Sequence, residues 1–225
     1  MHTLDRLVAR IQERHPDFEI RFKDDPLPTW LRPVFWFQSL ITKGFWERYT
    51  TTVGSHVYFP NREFYEADKA RSFEILAHEF VHMHDSAELG KVQFTLRYLF
   101  PQVTLGVFGL LGFLGLAWPP LFALFALFLA LAPWPAPWRT KYEKRGYRMS
   151  ILARTMMGQP VNAEHIASQF TGRQYYWMSW EKQGIMKWVT EEIADGRATL
   201  ANVKSLDRPY RDVHEVYYQF MKGKK

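Results

Sequence analysis

The chain has 225 residues, of which 47% are hydrophobic and 17% aromatic, a composition that excludes an intrinsically disordered protein. It contains no cysteine, which excludes disulfide frameworks and thiolate metal sites, so that any metal must be bound by His, Asp or Glu. The formal net charge is +6. No nucleic-acid motif accompanies the basic residues, which flank an apolar stretch, so we expect an anionic membrane face and no nucleic acid as partner.

The first hundred residues predict a helix, a strand and a second helix. Residues 3–14 place apolar side chains at helical spacing between charged ones, which predicts a short amphipathic helix. This N-terminus lacks an apolar core followed by a cleavage site, so no secretory signal peptide is expected. Residues 50–59 are rich in β-branched and aromatic side chains and predict one extended strand, closed by Pro60. Residues 63–84 contain no Pro or Gly and predict a helix with one apolar stripe.

Residues 103–132 contain no charged side chain and are divided by Pro119 and Pro120. At ~1.5 Å per residue the two parts, 103–118 and 121–132, reach only about 24 and 18 Å, short of a ~30 Å hydrocarbon core. The pattern therefore predicts a hydrophobic helical hairpin that dips into a membrane or spans it with help from flanking residues. A hairpin buried in a soluble core, or packed on a partner protein, is the alternative. Small residues recur along both arms and would let the helix backbones approach: Gly106, Gly109, Gly112, Gly115, Ala123, Ala126 and Ala130.

The remaining residues predict further helices, at about 163–172, 179–195 and 210–221. We therefore divide the chain into three parts. Residues 1–100 form the N-terminal part of a catalytic domain, 101–138 form the hairpin, and 139–225 form the C-terminal helical part.

The motif HExxH lies inside the predicted helix 63–84, at residues 78–82. A spacing of four residues places His78 and His82 on one helix face, one turn apart, which suits two bonds of about 2 Å to a single Zn²⁺. Glu79 can then reach a water on the metal without binding the metal itself. Zinc lowers the pKa of such a water, so that Glu79 can act as general base and then as general acid in peptide hydrolysis.

A catalytic zinc needs a third protein ligand beside its open position, and two glutamates are candidates. Glu143 follows the hairpin, in a segment expected to begin a helix that packs across the active-site helix. Glu88 lies ten residues after His78, but that arrangement also requires a glycine at position 85, where this chain has Asp85. The side chains considered for stabilising the oxyanion of the tetrahedral intermediate are His165, Tyr175, Tyr176 and His214.

With these residues placed, the chain resembles the gluzincins, and among them most the membrane-embedded CAAX prenyl proteases and heat-shock membrane proteases. LAHEFVHMHD is similar to their active-site helix, a hydrophobic hairpin follows, and RTKYEKRGY is similar to the segment with the glutamate ligand. The resemblance implies that His78, His82 and Glu143 bind zinc and that Glu79 is catalytic. The family has Asp four residues after the glutamate ligand, where this chain has Tyr147, a candidate for orienting a ligand or stabilising the oxyanion. Residues 51–60 resemble the edge strand on which these peptidases align a substrate.

These observations combine into one expectation for fold and function. We expect a mainly helical α+β fold, with a zincin-like catalytic domain, a small sheet and the inserted hairpin. The expected function is zinc-dependent endopeptidase activity on a protein or peptide substrate at a lipid membrane. Basic residues on both flanks of the hairpin predict that the catalytic part faces the cytoplasm. The alternative function is a non-catalytic membrane-inserting structural or interaction protein with a structural zinc site.

Overall fold

The structure is a computed structural model that describes residues 2–131, 134–172 and 177–222. It is mostly helical with one three-stranded sheet, which confirms the mainly helical α+β class. Two compact units are present. Unit 1 comprises Met1–His84, Arg145–Asn162 and Thr190–Lys225, and unit 2 comprises Asp85–Lys144 and Ala163–Val189.

Helices follow one another along most of the chain, and the strands lie in its first sixty residues. In chain order the helices are α1 (Thr3–Arg14), α2 (Arg32–Ile41), α3 (Phe45–Arg48), α4 (Arg62–Ala67), α5 (Lys69–Leu89), α6 (Lys91–Leu99), α7 (Gln102–Gly109), α8 (Pro137–Met156), α9 (Ala163–Thr171), α10 (Lys182–Ala201) and α11 (Arg208–Lys222). The strands are β1 (Glu19–Phe22), β2 (Thr51–Val53) and β3 (His56–Phe59). Segments of 3₁₀-helix span Leu110–Leu116, Pro119–Leu131 and Val203–Ser205.

Unit 1 is organised around the apolar stripe of α5. Phe73, Leu76, Ala77, Phe80 and Val81 are all buried there, as the stripe predicts, in one core shared with other elements of this unit. Those partners come from α1, the residue before β1, β3, α8 and α11: Leu4, Leu7, Ile11, Phe18, Val57, Phe59, Met149, Leu152, Ala153, Val213 and Val216. The core therefore fixes which face of α5 remains for polar side chains.

The helix expected over 63–84 is divided in two by Asp68. Asn61 caps α4 by accepting a hydrogen bond from the backbone N–H of Phe64 at 2.7 Å. Asp68 has non-helical backbone angles and accepts a hydrogen bond from the N–H of Arg71 at 2.9 Å, so it caps the start of α5 in the same way. A second capping residue within the apolar pattern is the physical reason for the break.

The sheet differs from the single edge strand expected over residues 50–59. This segment forms two antiparallel strands, β2 and β3, joined by a turn at Gly54, whose φ of 65° favours glycine. The strand order is β1-β3-β2, so β3 is the central strand, and it pairs in parallel with β1, which was not predicted. Of the segment expected to form one edge strand, only β2 lies at an edge of the sheet, because Gly54 folds the chain back so that β3 lies between β1 and β2.

Unit 2 contains the predicted hairpin. Its first arm is α7, which continues as 3₁₀-helix from Leu110, and its second arm is 3₁₀-helix from Pro119 to Leu131. Within the described residues no single helix is both long and apolar enough to cross a membrane. Lys91–Leu99 and Gln102–Leu116 pass that test of length and composition only as a pair, bent by 93°.

Candidate metal site

The two histidines of the motif lie side by side on α5. Their Nε2 atoms are 3.1 Å apart, and their ring centroids are 4.8 Å apart at an interplanar angle of 72°. Two nitrogens that each bind one metal at about 2.0–2.1 Å in a tetrahedral arrangement are separated by roughly 3.3 Å. The spacing of His78 and His82 therefore fits two ligands of one ion.

Helix α8 presents a face of small and polar side chains to His78. A Cβ added at Gly146 would lie 2.6 Å from Nε2 of His78, so only glycine permits this approach of helix to imidazole. One turn later, Ser150 Oγ is 3.2 Å from Nδ1 of His78. When Nδ1 donates its proton to Ser150, Nε2 is left with the lone pair that a metal requires. The ring of Tyr147 meets the His78 ring edge-on, with centroids 4.9 Å apart.

Glu143 lies on the same helix and is the carboxylate of the site. Glu143 is only 3% exposed, and its Oε1 accepts a hydrogen bond from the hydroxyl of Tyr98 on α6. The Tyr98 ring stacks on Phe94, with centroids 5.7 Å apart, and the guanidinium of Arg139 lies 5.0 Å from the ring centre. A carboxylate so far removed from water needs partners that favour its charge, and a hydroxyl donor supplies one.

His78, His82 and Glu143 form a group that could hold a metal ion. One ligand atom from each residue lies within 4.8 Å of the other two. The set provides two imidazole nitrogens and a carboxylate oxygen, which are the donor types of catalytic metal sites with a remaining open position. The geometry, the burial of His82 and Glu143 and the orientation of His78 by Ser150 all fit this role.

Of the other candidates, Glu79 and Tyr147 lie on the two helices that form this site. Glu79 is half-buried on α5, next to His78, and Tyr147 is half-buried on α8. Glu88 is exposed near the end of α5 and is not one of the three clustered residues. His165 is exposed on α9 in unit 2.

Two further candidates for oxyanion stabilisation have different outcomes. His214 lies on α11, where its ring centroid is 4.4 Å from that of Tyr218, and burial lowers the pKa of this imidazole. Tyr175 and Tyr176 lie outside the described residues.

Three residues of the site were not anticipated from the sequence. Gly146 and Ser150 follow Glu143 by three and seven positions and share its helix face with Tyr147. This i, i+3, i+4, i+7 pattern on α8 is the signal that could have identified them. No pattern of this kind points to Tyr98, because it precedes the hairpin while Glu143 follows it.

Comparison with known proteins finds no match, whether with protein-family models, with curated proteins or with solved structures.

Proposed function

We propose that the chain is a metal-dependent endopeptidase of the gluzincin type, with His78, His82 and Glu143 as metal ligands and Glu79 as general base and acid. The observation that carries the proposal is the group of three ligand atoms within 4.8 Å, two of them from an HExxH helix. A pair of histidines on a helix is common, whereas a buried carboxylate joining them at this distance favours a metal site.

The donor set favours zinc as the ion. Two imidazoles and one carboxylate suit Zn²⁺, and the cysteine-free sequence offers no thiolate that would favour other soft ions. When bound, the ion would supply Lewis-acid activation of a water molecule and of the scissile carbonyl. His78 and His82 would hold it through Nε2, and Glu143 through a carboxylate oxygen.

The side chains of this site would divide the remaining work. Glu79 would take a proton from the attacking water and give it to the leaving amine, a role that requires a carboxylate beside the ligands. Ser150 would keep the His78 ring in position, and Tyr98 would hold the Glu143 carboxylate. Tyr147, whose ring touches that of His78, is the first candidate for stabilising the oxyanion, and His165 is the second.

The substrate class proposed is a protein or peptide, and the proposed location is a lipid membrane with the catalytic part on the cytoplasmic side. The support for the membrane is the hairpin. Large side chains on both its arms are 43–84% exposed, among them Val107, Phe113, Leu116, Phe122 and Leu129. Such a surface calls for an apolar partner, and lipid is the simplest.

The test compares four purified proteins: the wild type, Glu143→Ala, Glu79→Gln and Glu88→Ala. Metal content is measured by elemental analysis and cleavage with a casein-like substrate in detergent. We expect about one zinc per chain in the wild type. Loss of metal and cleavage is expected in Glu143→Ala, and retained metal without cleavage in Glu79→Gln. Glu88→Ala, which removes an exposed carboxylate outside the cluster, is the matched control and should behave as wild type.

The outcomes separate this proposal from the alternative function. Zinc bound by all proteins except Glu143→Ala, with no cleavage that depends on Glu79, would favour a structural metal site in a membrane-inserting interaction protein. No zinc in folded wild type would remove the basis for both functions.

A further inference from the structure

Unit 1 has an exposed apolar surface of its own, formed by α2 and its flanking residues. Its members are large apolar side chains that are 37–63% exposed: Trp30, Val34, Trp36, Phe37, Leu40 and Trp46. We call this set the α2 surface. Single exposed apolar side chains are ordinary, whereas six within seventeen residues are characteristic of an interaction site.

Helix α2 is apolar on both sides. Leu31 and Phe35 are buried on the inner side, in a small cluster with Phe45 and Tyr58. At about 100° per residue the exposed Phe37 and Leu40 lie opposite Phe35. The exposed Val34 and Trp36 lie on the two flanks of the helix. A helix of a soluble domain normally carries polar residues there, and a helix that is apolar all round normally has an apolar neighbour on each side. The outer side of α2 therefore lacks the polar residues that water would favour.

The helix of the α2 surface packs on a buried aromatic cluster of unit 1. The Phe35 ring meets those of Phe45 and Tyr58 edge-on, with both centroid distances 5.3 Å. Lys23 is buried, and its Nζ donates 2.8 Å hydrogen bonds to the carbonyls of Phe45 and Tyr49. The exposed side chains of Trp36, Phe37 and Leu40 are thus presented by one helix. Its interior backbone groups are already hydrogen-bonded and can enter an apolar medium without further partners.

Positive charge flanks the α2 surface. Arg32 begins the helix, and Lys43 and Arg48 follow it, all three exposed. Glu47 is the one acidic residue between positions 27 and 50. Cations beside a short helix with exposed Trp, Phe and Leu side chains are typical of segments that lie in the headgroup region of anionic membranes. A two-fold contact between copies would instead bring the same set of cations from both copies into one interface.

We propose that the α2 surface inserts into the headgroup boundary of an anionic lipid membrane, so that unit 1 binds lipid directly and by residues other than the hairpin. The proposal does not depend on the metal site or on peptidase activity. Its partner is a bilayer containing phosphatidylserine-like headgroups, with the tryptophans at the interface and the cations beside the phosphates.

The absence of cysteine allows a probe at one chosen position of the full chain. Leu40→Cys is labelled with the fluorophore NBD, which emits at shorter wavelength in an apolar environment. Gln219→Cys, an exposed position on α11 of the same unit, is the matched control. Both proteins are mixed with phosphatidylcholine vesicles that do or do not contain phosphatidylserine. Emission and quenching by spin-labelled lipid are then recorded.

We expect a blue shift and lipid quenching at position 40 and neither at position 219. In the background Arg32→Gln, Lys43→Gln, apparent binding to phosphatidylserine vesicles measured at position 40 should weaken by about fivefold per charge removed. A label at position 40 that stays open to aqueous iodide while the protein floats with the vesicles would overturn the proposal. A label at position 40 that is equally protected from iodide without vesicles would overturn it too, because a second copy would then cover the α2 surface. Equal lipid quenching at both positions would show non-specific adsorption instead.

Discussion

At the scale of single residues, the position that most constrains the candidate site is a glycine. Gly146 lies on α8 where a methyl group would overlap the His78 imidazole, at 2.6 Å from Nε2 and 2.7 Å from Cε1. Within a helix, alanine is normally favoured over glycine by up to about 1 kcal/mol. In Gly146→Ala the gain in helix propensity therefore opposes the loss of packing. We expect the overlap with the His78 ring to be the larger effect.

We predict that Gly146→Ala displaces His78 and weakens metal binding by about ten- to a hundredfold, the range typical of changes that misplace a ligand. The measurement is zinc affinity by competition with a chelating dye. Gly196→Ala on α10 is the control, since the atom nearest to its added Cβ is Oγ1 of Thr155 at 3.2 Å and not an atom of the metal site. Unchanged zinc affinity in Gly146→Ala would show that Nε2 of His78 does not need this space.

At the scale of elements, the two arms of the hairpin pack with glycines of the first arm against phenylalanine rings of the second. Gly109, Gly112 and Gly115 are buried on the first arm while the residues between them are exposed. A Cβ added at each glycine would approach one phenylalanine ring: that of Phe128 for Gly109, Phe125 for Gly112 and Phe122 for Gly115, at 3.3, 2.6 and 2.6 Å respectively. A 3₁₀-helix has three residues per turn, so side chains at every third position are eclipsed. Glycine recurs at every third position of the first arm and phenylalanine at every third position of the second. The two series therefore face each other along one line of contact.

This contact predicts whether a substitution stabilises or destabilises the hairpin. Gly112→Ala should destabilise the hairpin by about 1–3 kcal/mol, because the added methyl overlaps the Phe125 ring. Gly184→Ala on α10 is the control, since there the added methyl meets only the flexible end of Glu181. Hydrogen exchange of residues 102–131 in detergent is the measurement. Slower exchange in Gly112→Ala would mean that helix propensity, and not ring packing, governs this segment.

At the scale of the whole chain, the two ends of the sequence meet within unit 1. Asp212 on α11 is buried, and its carboxylate accepts hydrogen bonds from Arg10 at 2.8 Å and from Arg14 at 3.0 and 3.1 Å. Burial by itself raises the pKa of Asp212, but the two arginines outweigh this effect and the pKa is lowered. The bidentate pair with Arg14 and the additional hydrogen bond from Arg10 connect α1 to α11 across about two hundred residues of sequence.

The lowered pKa makes this tie dependent on pH. A carboxylate with a depressed folded-state pKa stabilises the fold above the unfolded-state pKa of about 4, and the stabilisation disappears as pH falls through the folded-state value. We predict that Asp212→Asn lowers the free energy of unfolding by about 2–4 kcal/mol at pH 7 and that the difference from wild type shrinks below about pH 4. Urea unfolding between pH 7 and pH 3 measures it.

Asp207→Asn is the matched control for this prediction. Asp207 pairs with Arg145 at 2.7 Å, but its side chain is 53% exposed, so its loss should cost less than about 1 kcal/mol. A difference between wild type and Asp212→Asn that stays constant with pH would contradict the assigned ionisation.

Local patterns in the sequence determined much of this protein. The apolar stripe of α5, the spacing of His78 and His82, the helices α1 and α11 and the apolar hairpin all follow from residues within a few turns of each other. They could be predicted because each depends on the periodicity of one segment. The position of β1 could not, since a four-residue strand is recognisable only by its pairing with β3.

Only the tertiary structure showed that a glutamate lies beside the histidines in space. From the sequence, the resemblance favoured Glu143 as the third ligand and left Glu88, the closer along the chain, as the weaker alternative. The structure groups Glu143 with the histidines because α8 carries a glycine where its face meets His78, a fit that depends on shape between segments sixty-eight residues apart. Periodicity encodes which face of a helix is buried, whereas the partner of that face is set by packing across the whole fold.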